Sequence, residues 1–264
     1  MFIQEGMIVT FYKYQGSGND FIIIDNRKGE FPKTAGKIIS NLCDRRFGIG
    51  ADGLILLEED DRAHFGMVYY NSDGKTGSMC GNGGRCIVAF AKYLGIIKEN
   101  TEFNAVDGLH QASINEKIVR LKMQDVKEIM EKSNCLFLNT GSPHHVQLVS
   151  NLKDFNVKEE GAKLRYGIYG ESGSNINFVE QKGENKFAVR TYERGVENET
   201  LSCGTGVTAV ALGMHYWGKT NGETVKLHTK GGNLSVQYSK AANGYENIWL
   251  EGPAEQVFKG TIEI

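Results

Sequence analysis

Two stretches decide how this chain is read: CGNGGRCIVAFAKYLG at residues 80–95 and CGTGVTAVALGMHYWG at residues 203–218. Both open Cys-Gly-x-Gly, both close on Gly, and the two are offset by 123 residues at either end. After the opening turn each is an apolar run of about 12 residues, apolar on every face, which predicts a buried helix rather than a surface one. Each helix then carries a cysteine at its N-terminus. The N–H groups and dipole of a helix start lower a thiol's pKa and make a nucleophile or base of it. Two such cysteines at matched positions of a repeat predict a pair of thiols facing one another across a pseudo-twofold axis.

Outward from the two stretches, the repeat extends over the whole chain. Its 264 residues suffice for one large domain or two of about 130, and the repeat favours two. Residues 8–26 read strand, turn, strand, with QGSGND as the turn and Asn19 and Asp20 at its lip. Residues 34–46 read as a short amphipathic helix that turns Ile38, Ile39, Leu42 and Cys43 inward. Gly48, Gly50 and Gly53 match GxGxxG, but a helix precedes and a strand follows, the reverse of the dinucleotide-binding context, so nucleotide binding is rejected. A strand over 64–70 leads into NSDGKTGSMCGNGGR, whose glycines let backbone amides approach a carboxylate or phosphate at the helix start. Strands near Phe103 and at IVRLKM complete the first half, and a polar connector over about 124–134 follows.

The second half repeats this plan. LFLNT, GSPHH and VQLV again read strand, turn, strand, and set His144 against Asn19. Residues 154–166 read as a helix. SGSNINFVE parallels IGADGLILL, and FAVRTYERG parallels MVYYNSDG, which sets Glu193 and Arg194 near Ser72 and Asp73. The offsets stay between 121 and 125. The expected organisation is α+β: residues 1–124, joined by about 250–264 crossing back, and residues 125–249, carrying Cys80 and Cys203 respectively.

Composition excludes other classes. A net charge of −2 with no basic run gives no case for nucleic acid or a membrane surface, and no stretch of about 20 apolar residues exists. MFIQEGMIVTFYKY lacks the basic and apolar regions of a secretory signal, and Met7 is an alternative start. Five cysteines, an odd number without a signal, point to reduced cytoplasmic thiols. Cys80 and Cys86 stand six apart and leave a helix on different faces, which excludes a helical zinc or redox pair.

An amino acid held between two helix starts explains this pattern. Its α-carboxylate accepts backbone N–H bonds around Gly81 and Asn82 and around Gly204 and Thr205, bonds that strengthen as the α-proton leaves. One thiolate removes the proton, and the other thiol delivers one to the opposite face. His144 and Glu193 are candidates to tune which thiol is ionised. The scheme requires neither pyridoxal phosphate nor a metal.

These residues resemble the diaminopimelate epimerase family. The resemblance rests on N-x-D-G followed by C-G-N-G-x-R (residues 71–85), GSGNDF, GIGADG, the GxPH turn, Asn175-x-x-Phe, and Glu-Arg-Gly before Cys-Gly-Thr-Gly, and it spans nearly the whole chain. It implies a cofactor-independent isomerase that interconverts LL- and meso-diaminopimelate in lysine and cell-wall precursor synthesis. It implies two domains, each a β-barrel-like sheet around a central helix, with the site in the cleft between them. It implies Cys80 and Cys203 as the acid/base pair, assisted by His144 and Glu193, with Asn19, Asn71, Asn175 and Arg194 holding the substrate. A homodimer is left open.

The chain departs from the family pattern in three places. Ser142 stands where Asn is usual, Lys75 where Ser or Thr is usual, and the stretch from Glu193 to Cys203 is one residue longer, near Asn198. Two rival readings remain at this stage: a racemase of the same fold acting on another amino acid such as histidine, and a thiol redox or anion-binding protein.

Overall fold

The computed structural model describes residues 6–77 and 79–264; the first five residues of the stretch read for a signal lie outside them. β1 (Ile8–Gly16) turns into β2 (Asn19–Asp25) through Ser17 and Gly18, both at positive φ (57° and 84°). This two-residue geometry matches the right-handed twist of paired strands. α1 (Gly36–Cys43) follows, and then β3 (Gly53–Glu58) runs parallel to β2. β4 (Phe65–Asn71) returns antiparallel to β3. After α2 (Gly81–Tyr93), β5 (Asn100–Ala105) lies parallel to β4, and β6 (Gly108–Asn115) and β7 (Ile118–Lys122) complete an antiparallel meander. The C-terminal strand, Glu255–Glu263, pairs antiparallel with β1.

The chain divides into two compact units. The first runs to Leu121 and includes Pro253–Ile264; the second is Lys122–Gly252. In the first unit, α2 is the core. β1, β2, β3, β6 and the C-terminal strand all pack on it, and Cys86, Ile87, Val88, Phe90 and Ala91 are fully buried. Phe90 lies 4.7 Å from the ring of Tyr12 and 5.9 Å from that of Tyr14. On the opposite face of the sheet, α1 brings Ile39, Leu42 and Cys43 against Ile22, Ile24, Leu54 and Leu56. A strand covered on both faces has no solvent side to alternate with, which is why FIIID and LILL are continuous apolar runs.

The second unit is built in the same order. β8 (Ile129–Lys132), β9 (Cys135–Asn139) and β10 (Pro143–Leu148) are successive antiparallel neighbours. α3 (Val157–Tyr169) precedes β11 (Asn175–Gly183), which runs parallel to β10, and β12 (Lys186–Glu193) returns antiparallel to β11. β13 (Asn198–Thr200) is a short addition folded back on β12. α4 (Gly204–Tyr216) then leads to β14 (Thr224–Thr229), parallel to β12, and to β15 (Gly232–Lys240) and β16 (Tyr245–Pro253). β9, β10, β11, β12, β14 and β15 pack on α4, whose Val207–Met214 are buried throughout.

The α+β class, with a buried central helix in each half, is the fold the sequence predicts. Two local expectations need correction. The second-half helix starts at Val157, not 154, because Asn156 caps it: its side chain accepts from the Glu159 N–H (3.4 Å) and its amide donates to the Glu159 carboxylate (2.8 Å). The polar connector over 124–134 contains β8. Three of its four residues are exposed, so its apolar pattern is too thin to read as a strand.

Phe90 tests the central helix as a core element. Phe90→Ala is expected to lower unfolding free energy by about 3–5 kcal/mol. Phe47→Ala, at a side chain 93% exposed, should stay within about 0.5 kcal/mol. Urea titration of both variants measures the difference.

Candidate active site

Cys80 and Cys203 are the N-cap residues of α2 and α4. Both have extended backbones (φ −101°, ψ 128° and φ −123°, ψ 114°), and neither side chain caps its own helix. Their carbonyls accept the first helical hydrogen bonds, from Gly84 (2.7 Å) and Val207 (2.9 Å). The first N–H groups of a helix have no carbonyl four residues back and point along its axis, so the sulfur stands beside an anion-attracting helix start. Cys203 is buried and Cys80 half-buried.

In the first unit, the parallel starts of β2 and β3 bring Asn19 and Asp52 together. The Cys80 thiol donates to Asn19 Oδ1 (3.5 Å), which also accepts from Asn82 Nδ2 (3.3 Å). Asn19 Nδ2 in turn donates to Asp52 Oδ2 (2.5 Å). Arg45 ties Asp52 to Asp20, at 2.8 and 2.6 Å. With Lys13 also 2.7 Å from it, the Asp20 carboxyl is held down at about 2 despite its partial burial, which acts the other way. Asn71 closes β4 opposite Gly53, one residue from Asp52. Arg85, fully buried one turn into α2, donates to Asn82 Oδ1 (2.9 Å), Ser17 Oγ (3.1 Å) and the Gly81 carbonyl (3.2 Å).

In the second unit, the parallel starts of β10 and β11 make His144 and Asn175 register partners. His144 is fully buried. Its Nε2 lies 2.9 Å from Thr205 Oγ1, and Thr205 Oγ1 lies 3.5 Å from Cys203 Sγ. Burial, with Arg194 adding to it, pushes the His144 imidazole down to about 3, so it is neutral near pH 7. Asn175 Nδ2 donates to Ser142 Oγ (3.0 Å) and to the Pro143 carbonyl (3.2 Å), while its Oδ1 accepts from the Arg194 N–H (2.9 Å). Glu193 ends β12 opposite Asn198, and the Arg194 guanidinium donates to the Ser172 carbonyl (2.9 Å). The turn that follows is braced by Glu197, which accepts from the Gly195 N–H (3.1 Å) and pairs with Arg165 (3.3 Å).

The rest of the titratable inventory is structural. His145 points to the other side of its strand, with Nδ1 2.9 Å from the Tyr169 hydroxyl. All five cysteines are free thiols. Burial pushes Cys43 up to about 11, Cys86 up to about 12, and Cys135 upward, which keeps these three inert. Among the described residues no cluster of three His, Cys, Asp or Glu side chains is placed to hold a metal. A recess of the first unit, about 620 Å³ and lined by Ile8, Asp25, Arg27 and Lys259 among others, contains none of the site residues.

The family model for diaminopimelate epimerase matches residues 11–127 and 136–257. The chain belongs to the diaminopimelate epimerase family. A diaminopimelate epimerase of Flavobacterium psychrophilum is 60% identical over 95% of this chain and 99% of its own length. One from Chlorobaculum tepidum is 43% identical over 94% and 99%. Among solved structures, a Bacillus anthracis phenazine biosynthesis protein of the PhzF family superposes with a TM-score of 0.79 at 13% identity, covering 98% of this chain and all of that one. A hydroxyproline epimerase from Agrobacterium vitis, with bound trans-4-hydroxy-L-proline, gives 0.68 at 14% identity over 97% and 93%. These two likenesses concern the fold.

Family membership and geometry together identify residues that the sequence reading passed over. Asp52 and Arg45 orient Asn19, Arg85 supports Asn82, and Asn177 touches His144. The GIGADG motif contained Asp52, but its value lay in a pairing 33 residues away, to Asn19, which spacing alone does not disclose. No helix among the described residues is long and apolar enough to cross a membrane.

The neutral state of His144 has a consequence for stability. Its pKa is about 3 folded against 6.5 as a free group, so unfolding takes up a proton below pH 6.5 and stability falls as pH falls. His145, also pushed down by burial, adds to the loss. Unfolding free energy should drop between about pH 6.5 and pH 5, with the contribution of His144 approaching 1.4 kcal/mol per pH unit toward the lower end. His144→Gln should flatten that dependence, and urea titration at several pH values measures the change.

Proposed function

We propose that this chain interconverts LL- and meso-2,6-diaminopimelate, with Cys80 and Cys203 as the acid/base pair. The observation that carries the reading is the repeated placement of a cysteine at the N-cap of a buried helix, in a chain 60% identical to a diaminopimelate epimerase over nearly its full length. One thiolate abstracts the α-proton, and the pair of electrons left behind delocalises into the α-carboxylate. The N–H groups around Gly81 and Asn82 and around Gly204 and Thr205 stabilise that developing charge. The other thiol returns a proton to the opposite face, which inverts the centre. In the reverse direction the thiols exchange roles. Asn19, Asn71, Ser142, Asn175 and Arg194 hold the substrate, and Glu193 faces its ammonium group. His144, neutral and buried, acts as a hydrogen-bonding partner rather than as a charge. The reaction needs no cofactor and runs in the cytoplasm, where thiols stay reduced.

Ser142 is the feature that favours a second reading, a racemase of another amino acid. It is shorter than the Asn usual in the family, and it is already engaged by Asn175. The two readings separate in one experiment: α-proton exchange followed by NMR in D₂O under reducing conditions, with LL-diaminopimelate beside histidine and other amino acids. Deuterium incorporation with appearance of the meso isomer on diaminopimelate alone supports the first. Exchange confined to another amino acid replaces it with the second.

The thiols can be tested singly. Cys80→Ser and Cys203→Ser should each lower turnover by about 10²–10⁴-fold. Cys43→Ser, Cys86→Ser and Cys135→Ser should leave it largely intact. Full activity in either of the first two variants would sink the two-base scheme.

A further inference from the structure

Behind His144 lies Asn177, a fully buried amide whose orientation is fixed by its surroundings. Its Nδ2 lies 2.9 Å from the backbone carbonyl of His145, an atom that can only accept, so the nitrogen end points there. Its Oδ1 accepts from the Thr191 hydroxyl at 2.9 Å. The same Nδ2 stands 3.1 Å from His144 Nδ1, which makes that ring nitrogen the acceptor. The imidazole is fully buried and the charged group acting on it is Arg194, so it carries one proton, and that proton sits on Nε2. Nε2–H donates to Thr205 Oγ1 at 2.9 Å. With one lone pair occupied by that donor, the hydroxyl keeps its own proton to give, and Cys203 Sγ lies 3.5 Å away. The close approach of Asn177 depends on Gly206, where a Cβ would stand 2.5 Å from Asn177 Oδ1.

We propose that Asn177 is a positioning residue. It holds His144 in its Nε2–H tautomer, so that the Thr205 hydroxyl donates its hydrogen bond to Cys203 and stabilises the thiolate form of that cysteine. The proposal rests on reading Cys203 as an acid/base group, but its observables do not depend on turnover. A donor to an ionised sulfur favours the thiolate, whereas an acceptor would favour the thiol, so the tautomer sets the sign of the effect. No covalent step is involved: protons are only oriented along the series from Asn177 through His144 and Thr205 to Cys203. The relay lies wholly in the second unit.

The test uses the full-length reduced protein. With ¹⁵N-labelled histidine, and His144→Gln to assign the signal, NMR should show Nδ1 bare and Nε2 protonated at His144. Asn177→Asp replaces the donor facing Nδ1 by an acceptor and should place a proton on Nδ1. Separately, the pH midpoint of iodoacetamide labelling at Cys203, read by peptide mass spectrometry and normalised to its plateau, reports ionisation of that thiol. Thr205→Val keeps the side-chain shape and removes the hydroxyl, and should raise the midpoint by about one pH unit while leaving that of Cys80 unchanged. A bare Nε2 in the unaltered protein, or a Cys203 midpoint that Thr205→Val does not move, overturns the proposal. Failure of the epimerase reading would show instead as absence of α-proton exchange, with tautomer and midpoints unaffected.

Discussion

An α-helix that is apolar on every face must be enclosed, and enclosure by strands leaves only its ends exposed to chemistry. α2 and α4 meet this constraint in the same way: strands pack on the helix from several sides, and the helix start emerges beside the starts of two parallel strands. Everything functional in each half follows from where that start lies. The cysteine occupies the N-cap, glycines occupy the next turn, and the strand pair β2/β3 or β10/β11 supplies the side chains around the sulfur. Burial of the helix therefore does two jobs. It builds the core, and it fixes the position of a thiol to the precision of a packed interior rather than that of a loop.

How much of this could be read in the sequence depended on how far apart the interacting residues stand. The helices, the repeat and the two N-terminal cysteines were legible because their signals are local: composition over about 12 residues and a shared Cys-Gly-x-Gly opening. The order of elements along the chain was legible through the repeat, since the same alternation of turn, helix and strand recurs with little drift. What stayed hidden were side chains whose roles exist only after the strands pair. Asp52 reads as the end of a glycine-rich turn until β3 aligns with β2 and its carboxylate meets Asn19. Asn177 reads as an ordinary strand residue between two apolar neighbours until its amide is seen against His144 and the His145 carbonyl. His144 and His145 are adjacent in sequence, and the repeat sets the first of them against Asn19. Strand alternation separates them, turning one toward Thr205 and the other toward Tyr169.

The duplication is one of backbone, not of chemistry. At the position five residues after the cysteine, α2 carries Arg85 and α4 carries Thr208. Arg85 is a buried guanidinium that burial pushes toward neutrality and that the sulfurs of Cys86 and Cys80 help keep charged. Thr208 merely returns its hydroxyl to the Gly204 carbonyl at 2.9 Å. The first thiol thus has a buried positive charge on its own helix, together with an amide oxygen, that of Asn19, to accept its hydrogen bond. The second has no such charge on its helix and a hydroxyl beside it instead. Under the proposed two-base scheme each thiol is a base in one direction and an acid in the other, so each must be able to exist in both states. The two halves surround the thiol differently: Arg85 and the Asn19 amide oxygen serve Cys80, and the neutral series of His144 and Thr205 stands beside Cys203. A shared backbone thus carries two thiols in unlike surroundings, an amide oxygen beside one and a hydroxyl beside the other.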